Sequence, residues 1–209
     1  MRPILRGSVV HAAATTRISG GGGGYAPRMA VPQTVPVHKL TLEDVLAMVE
    51  AGILDEAAHV ELEGGVLVDM LPPGEGHERQ VEWLTRHFVK AVADDVRVRI
   101  QGTFLIPDGG YYLPDVIVFG PKDDELPRTA ELIIEVAVSS RSRDLEKAAV
   151  YAAAAVGEYW IVDVERQEVL VHSEPRHDGY ALVRRHVVGE RVPPPVDVPP
   201  VDVAELLGR

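Results

Sequence analysis

Leu132-Ile133-Ile134-Glu135-Val136-Ala137-Val138 is the stretch that decides the fold. It has the length of a strand and is apolar at every position but one. That is the pattern of a central strand covered on both faces, not of a half-exposed one. Its single acid matters as much as its apolar residues, because a carboxylate inside such a strand is costly unless it is paired or holds a cation. A sheet edge or a salt bridge at the sheet end would be the plain structural account of Glu135. The uniformly apolar neighbours weigh against that account.

Working outward, Val116–Phe119 is a second apolar run of strand length, entered through Pro114-Asp115. Alone, a proline-aspartate pair reads as a turn cap. Together with Glu135 the balance changes, since two adjacent strands that each offer one carboxylate at the same depth make a site for a divalent cation. Residues 135 and 137 project to the same side of a strand. Downstream, a helix is expected over 144–155, with Lys147 set about one turn from Asp144 and from Tyr151. The ordinary alternative for Lys147 is an exposed helix lysine paired with Asp144.

The flanking sequence predicts the rest of the layout. Thr41 and Asp44 form an N-cap signature for a helix ending near Gly52, with Leu42, Val45, Leu46 and Val49 on one face. Strands over 59–63 and 66–70 meet at Gly64-Gly65, a two-residue hairpin signal. Pro72, Pro73, Gly74 and Gly76 form a loop before a helix over 77–94 that carries Val81, Leu84 and Phe88 at helical spacing. Val96, Val98 and Ile100 alternate with arginines as a half-buried strand, and further strands are expected over 159–163, 169–172 and 180–184. A helical turn over 203–207 closes the chain. The order is a mixed α/β pattern built around one sheet.

Composition narrows the chemistry. There is no cysteine, so disulfides, thiol nucleophiles and cysteine-ligated zinc are excluded, and any metal site must be built from oxygen donors and histidine. Such sites favour magnesium, calcium or manganese. Residues 1–37 hold four arginines and no acid, while the remainder sets 17 basic against 32 acidic side chains. So acidic a body argues against nonspecific coating of nucleic acid, but not against an enzyme that meets phosphate at one local site. The run Gly20 to Gly24 lacks the lysine and hydroxyl ending of a phosphate loop, so residues 1–37 read as a disordered tail and 38–209 as the domain. Met29 is the expected native start. No apolar run nears the roughly 20 residues that span a bilayer, and a soluble, cytoplasmic protein is expected.

The motifs Val60-Glu61-Leu62, Val68-Asp69-Met70, Pro72-Pro73 with His77, Gln101, Pro114-Asp115, Glu135-Val136 through Ser140, Asp144, Lys147, Tyr151 and Glu158-Tyr159-Trp160-Ile161-Val162-Asp163 together resemble the Uma-type putative restriction endonuclease family of the PD-(D/E)XK nuclease-like superfamily. The resemblance covers about residues 40–205. It implies a restriction-endonuclease-like α/β fold, a mixed sheet flanked by helices. It implies Asp115 and Glu135 as ligands of Mg2+ or Mn2+, and Lys147 as the motif lysine supplied from the helix. The usual position for that lysine, two residues after the acid, holds Ala137. Glu61 is implied as a further catalytic acid and Gln101 as a polar residue lining the site. The segment from Ser140 to Lys147 is one residue shorter than the usual pattern, and Gly64 stands where an acid is common. His77, near the start of the long helix where free N–H groups favour anions, is read as a phosphate contact or second-metal ligand, against a local hydrogen bond.

The expected activity is metal-assisted phosphodiester hydrolysis of nucleic acid, DNA first, with a homodimer as the assembly that the superfamily suggests. The rival expectations are a nuclease fold without catalysis that serves as a binding module, and hydrolysis of a phosphoester other than nucleic acid. No His-Glu-x-x-His or Gly-x-Ser-x-Gly motif supports a zinc protease or serine hydrolase.

Overall fold

The computed structural model describes residues 36–70, 74–120 and 126–209. The glycine run, Met29 and the Pro72-Pro73 pair lie outside these residues. Four helices and twelve strands follow one another among the described residues: α1 (Leu42–Glu50), β1 (Val60–Glu63), β2 (Val66–Asp69), α2 (Glu75–Ala91), β3 (Arg97–Ile100), β4 (Phe104–Leu105), β5 (Tyr111–Tyr112), β6 (Val116–Phe119), β7 (Leu132–Ala137), α3 (Arg141–Ala153), β8 (Glu158–Asp163), β9 (Glu168–Arg176), β10 (Gly179–Val187), β11 (Arg191–Val192), β12 (Val201–Asp202) and α4 (Val203–Leu207).

The main sheet has six strands in the order β10-β9-β8-β7-β6-β3. Only β7 and β8 run parallel, joined by α3, and every other pair is antiparallel. β7 and β6 are buried at every residue, as apolar runs without alternation require. Alternate residues feed two cores. On one face Val116, Ile134, Val136, Trp160 and Val162 pack under Leu84 and Phe88 of α2 and Leu206 of α4. On the other, Ile117, Ile133, Ala137, Tyr159 and Ile161 pack under Tyr151 of α3. Phe88 is fully buried, and its truncation to alanine would cost about 3–5 kcal/mol.

The single expected sheet is in fact divided. β1 and β2 do not join the main sheet but form a separate one with the order β2-β1-β5-β4. The hairpin itself is as expected, with Glu63 opposite Val66 and both Gly64 and Gly65 at positive φ (55° and 81°). At Gly65 a Cβ would also lie 2.4 Å from that of Lys39, so only glycine fits. The two-residue strands β4 and β5 are too short to carry a period in sequence, and they tie the hairpin to the α3 side of the main sheet through Leu62↔Tyr111. This second sheet brings Glu61 to the site.

Helix bounds also shift. α3 begins at Arg141, three residues before the expected start, because Ser140 and not Asp144 precedes its first turn. α2 begins at Glu75 behind Gly74, which leaves His77 inside its first turn. β9 and β10 are longer than expected, running to Arg176 and from Gly179. No helix among the described residues is long and apolar enough to cross a membrane.

Candidate active site

The β6–β7 ladder ends at Val116↔Ile134, and continuing its register by one residue sets Asp115 opposite Glu135. Both acids share the face of Ile117, Ile133 and Ala137, the face covered by α3. Past the last ladder pair, the Val136 N–H donates to Asp115 Oδ2 at 2.9 Å. His77 Nε2 lies 3.0 Å from the same oxygen. Two neighbours thus fix one side of Asp115, while its Oδ1 has no partner among the described residues.

Glu135 is 5% exposed. Its Oε1 accepts from Lys147 Nζ at 3.0 Å and from the Tyr151 hydroxyl at 2.9 Å. Oε2, like Asp115 Oδ1, is unclaimed by the described residues. Glu135 is not an edge residue, since β7 lies between β6 and β8, but it is salt-bridged to Lys147 one residue past the end of the β6–β7 ladder.

Lys147 is not the exposed lysine of the ordinary alternative. It is 3% exposed and donates to Glu61 Oε1 at 2.9 Å as well as to Glu135, with the ring of Tyr112 4.8 Å from its ammonium. The reach of α3 therefore suffices despite the shorter Ser140–Lys147 segment. Glu61 has no free oxygen, as Oε1 also accepts the Leu113 N–H at 3.0 Å and Oε2 accepts from Arg143 at 2.7 Å. Glu61 thus holds Lys147 and Arg143 together from the second sheet.

Asp115, Glu135 and Lys147 line a cleft of about 720 Å3 together with His77, Gln101, Arg143 and Asp144, while Glu61 is fully buried and outside its lining. Gln101 is exposed, adopts φ 47° just after β3, and donates its backbone N–H to the Asp115 carbonyl at 3.0 Å. Asp144 is buried in the first turn of α3, with Oδ2 accepting from Ser140 Oγ at 2.6 Å.

The electrostatics follow from burial and crowding. Burial pushes the Glu135 carboxyl up to about 8, although Lys147 pulls the other way and the neighbouring acids add to the rise. Burial also raises Asp144. For Lys147 burial alone favours the neutral amine, but Glu135 and Glu61 outweigh it and hold the ammonium above its ordinary value. His77 is raised chiefly by its hydrogen bond to Asp115. Its Nδ1 is buried without a partner.

Asp115 and Glu135 each offer one open oxygen, which suits a hard divalent cation. No group of three or more histidine and acidic side chains able to hold a metal is found among the described residues. Magnesium is commonly held by one or two carboxylates and its own waters, so a two-acid site fits it.

The structure brings Asp115, Glu135, Lys147, Glu61, His77 and Gln101 to one place. Sequence reasoning missed Arg143. Its position one helical turn before Lys147 was the available signal.

The Uma2 family, described as putative restriction endonuclease, matches residues 42–204. Among solved structures, a putative nuclease belonging to DUF820 from Anabaena variabilis ATCC 29413 aligns over 81% of this chain and 98% of that one, with TM-score 0.68 and 14% identity. At that identity the likeness concerns the fold. No curated protein matches the chain.

Proposed function

The chain belongs to the Uma2 family of putative restriction endonucleases, and from that premise and the cleft geometry we propose that it hydrolyses phosphodiester bonds in nucleic acid, DNA foremost, with Mg2+ or Mn2+. One observation carries the reading. Two acids from neighbouring strands face each other on one side of the sheet, each with an open oxygen, beside a buried ammonium 3.0 Å from Glu135.

Asp115 and Glu135 would hold the ion through those open oxygens. When bound, it would lower the pKa of a water and polarise a phosphate oxygen. Lys147 supplies a fixed positive charge that stabilises negative charge developing on the phosphate. Glu61 and Tyr151 orient that region, the first by holding Lys147 and the second by holding Glu135 Oε1. His77 and the Val136 N–H set the rotamer of Asp115. The Lys147 ammonium is already committed to two carboxylates, and this favours a second reading, in which the fold binds a partner without cleaving it.

Plasmid, single-stranded DNA and RNA incubated with Mg2+ or Mn2+ separate the two. The wild type should cleave at least one, and Asp115→Asn and Glu135→Gln should each lose cleavage by about 100-fold or more while keeping the fold. If either variant cleaved as the wild type does, the assignment would be wrong. If the wild type cleaved nothing under any of these conditions, the binding-module reading would stand instead.

A further inference from the structure

The cleft sets an acidic wall against an anionic substrate. Asp69, Asp115, Glu135 and Asp144 line it against the cations Arg143 and Lys147. Lys147 is sealed at 3% exposure beneath two carboxylates, at the floor of the cleft and out of reach of its mouth. Arg143 differs in its access. One turn earlier on α3, its side chain is 33% exposed and still lines the cleft.

Its contacts use one end of the guanidinium only. Nη2 donates to Glu61 Oε2 at 2.7 Å and lies 3.9 Å from Glu63 Oε2. Nε and Nη1 have no partner among the described residues. A guanidinium presents five donors in a rigid plane and binds phosphate through pairs of them. The Glu61 bond uses one of the two Nη2 hydrogens and leaves one two-donor edge of the plane open, a pre-oriented phosphate fork whose ordering cost on binding is reduced.

The geometry points to Arg143 as the residue that anchors a substrate phosphate at the mouth of the cleft, through the two-donor edge of the guanidinium that Glu61 leaves open, while Glu61 holds the group in place. This rests on the nucleic-acid reading above and adds a substrate contact to it. Arg143 orders with Glu61, Lys147 and Glu135 into one chain of opposite charges running from the mouth to the floor. Phosphate would replace solvent at its outer end without breaking any link of the chain.

The test uses the full chain and a fluorescein-labelled DNA strand in Ca2+, read by anisotropy across a salt series, with Mn2+ affinity measured separately by calorimetry. Arg143→Gln should weaken DNA binding about tenfold or more. It should flatten the salt dependence by about 0.7 for one lost contact on a single strand. Arg143→Lys should recover the salt slope but only part of the affinity, and both variants should bind Mn2+ within twofold of wild type. If Arg143→Gln binds DNA with wild-type affinity and slope, the inference is overturned even where cleavage falls, and Arg143 only clamps Glu61. If Mn2+ affinity falls along with DNA affinity in Arg143→Lys, a positioning role replaces the anchor. Should the wild type neither bind nor cleave DNA, the functional reading itself fails, an outcome distinct from both.

Discussion

Asp163 and Glu168 face one another across β8 and β9 much as Asp115 and Glu135 do across β6 and β7. Both pairs sit on the side of the sheet that α3 covers, and both are almost wholly buried. Their surroundings diverge. Asp163 Oδ2 meets Arg141 at 2.8 Å and Arg166 at 3.1 Å, and Oδ1 accepts the Arg166 N–H at 2.9 Å. Glu168 pairs with Arg185 and lies 3.8 Å from Arg141. Every oxygen there lies within 4 Å of an arginine nitrogen or an N–H, and three arginines answer two acids. In the cleft, Asp115, Glu135, Glu61 and Asp144 share Lys147 and Arg143, and three carboxylate oxygens stay open. The first pair fastens α3 to the sheet. The second is left short of positive charge, the condition under which a cation adds the most.

The contrast can be broken most sharply by substituting within each pair. Glu135→Gln should remove at least about 100-fold of cleavage with little loss of stability. Asp163→Ala should do the reverse, costing about 2–3 kcal/mol in denaturant unfolding because Arg141 loses a buried partner, while folded protein retains its activity. Comparable activity losses in both variants would erase the distinction between them.

Lys147→Met should cost about 3–5 kcal/mol, since it takes the ammonium from buried Glu135 and leaves Glu61 with Arg143 alone. Millimolar Mn2+ should restore more stability to this variant than to wild type, as read by thermal melts. Equal restoration would mean that the ion binds elsewhere.

The pH dependence sharpens the comparison further. Burial pushes the Glu135 carboxyl up to about 8 against 4.5 as its ordinary value, even with Lys147 beside it, so ionising it costs the fold stability. Its contribution to stability is complete below about 4.5 and is lost as pH rises through about 8. His77, also raised, acts in the same direction, complete below 6.5 and lost above that. Metal-free protein should therefore melt progressively lower between pH 6 and 9, and Glu135→Gln should flatten the trend. Mn2+ affinity should rise over the same interval, because only the ionised carboxylate binds it.

The smallest effect concerns Asp144, which burial holds above its ordinary value. Asp144→Asn should leave stability unchanged or raise it by up to about 1 kcal/mol at neutral pH, since it removes an acid from a crowded cleft. A loss greater than that would place Asp144 with the fastening pair.

Much of this was legible in the sequence because the central strands are so uniformly apolar. A lone Glu135 amid six apolar residues declares a buried charge, whereas the equal depth of Asp115 comes from the β6–β7 register. Helical spacing then aligned Asp144, Lys147 and Tyr151 on one face. What sequence could not supply was long-range pairing. The second sheet depends on β4 and β5, two residues each, which leave no periodic trace. Without that sheet, the clamp of Glu61 on Lys147 and Arg143 has no visible cause. His77 reads in sequence as a phosphate or metal contact or a local hydrogen bond, and its bond to Asp115, set by the packing of α2, leaves no trace there. Asp163 ends β8 and caps a turn through the Arg166 N–H, but its Arg141 pair comes from the helix whose start the sequence places three residues late.

Crystals soaked in Mn2+ and measured at the manganese absorption edge test the central claim most directly. The account predicts an anomalous peak within coordination distance of Asp115 Oδ1 and Glu135 Oε2, absent from Glu135→Gln crystals treated alike. A peak lying only at Asp163 and Glu168, or a wild-type cleft with no peak at a concentration that supports cleavage, would contradict it.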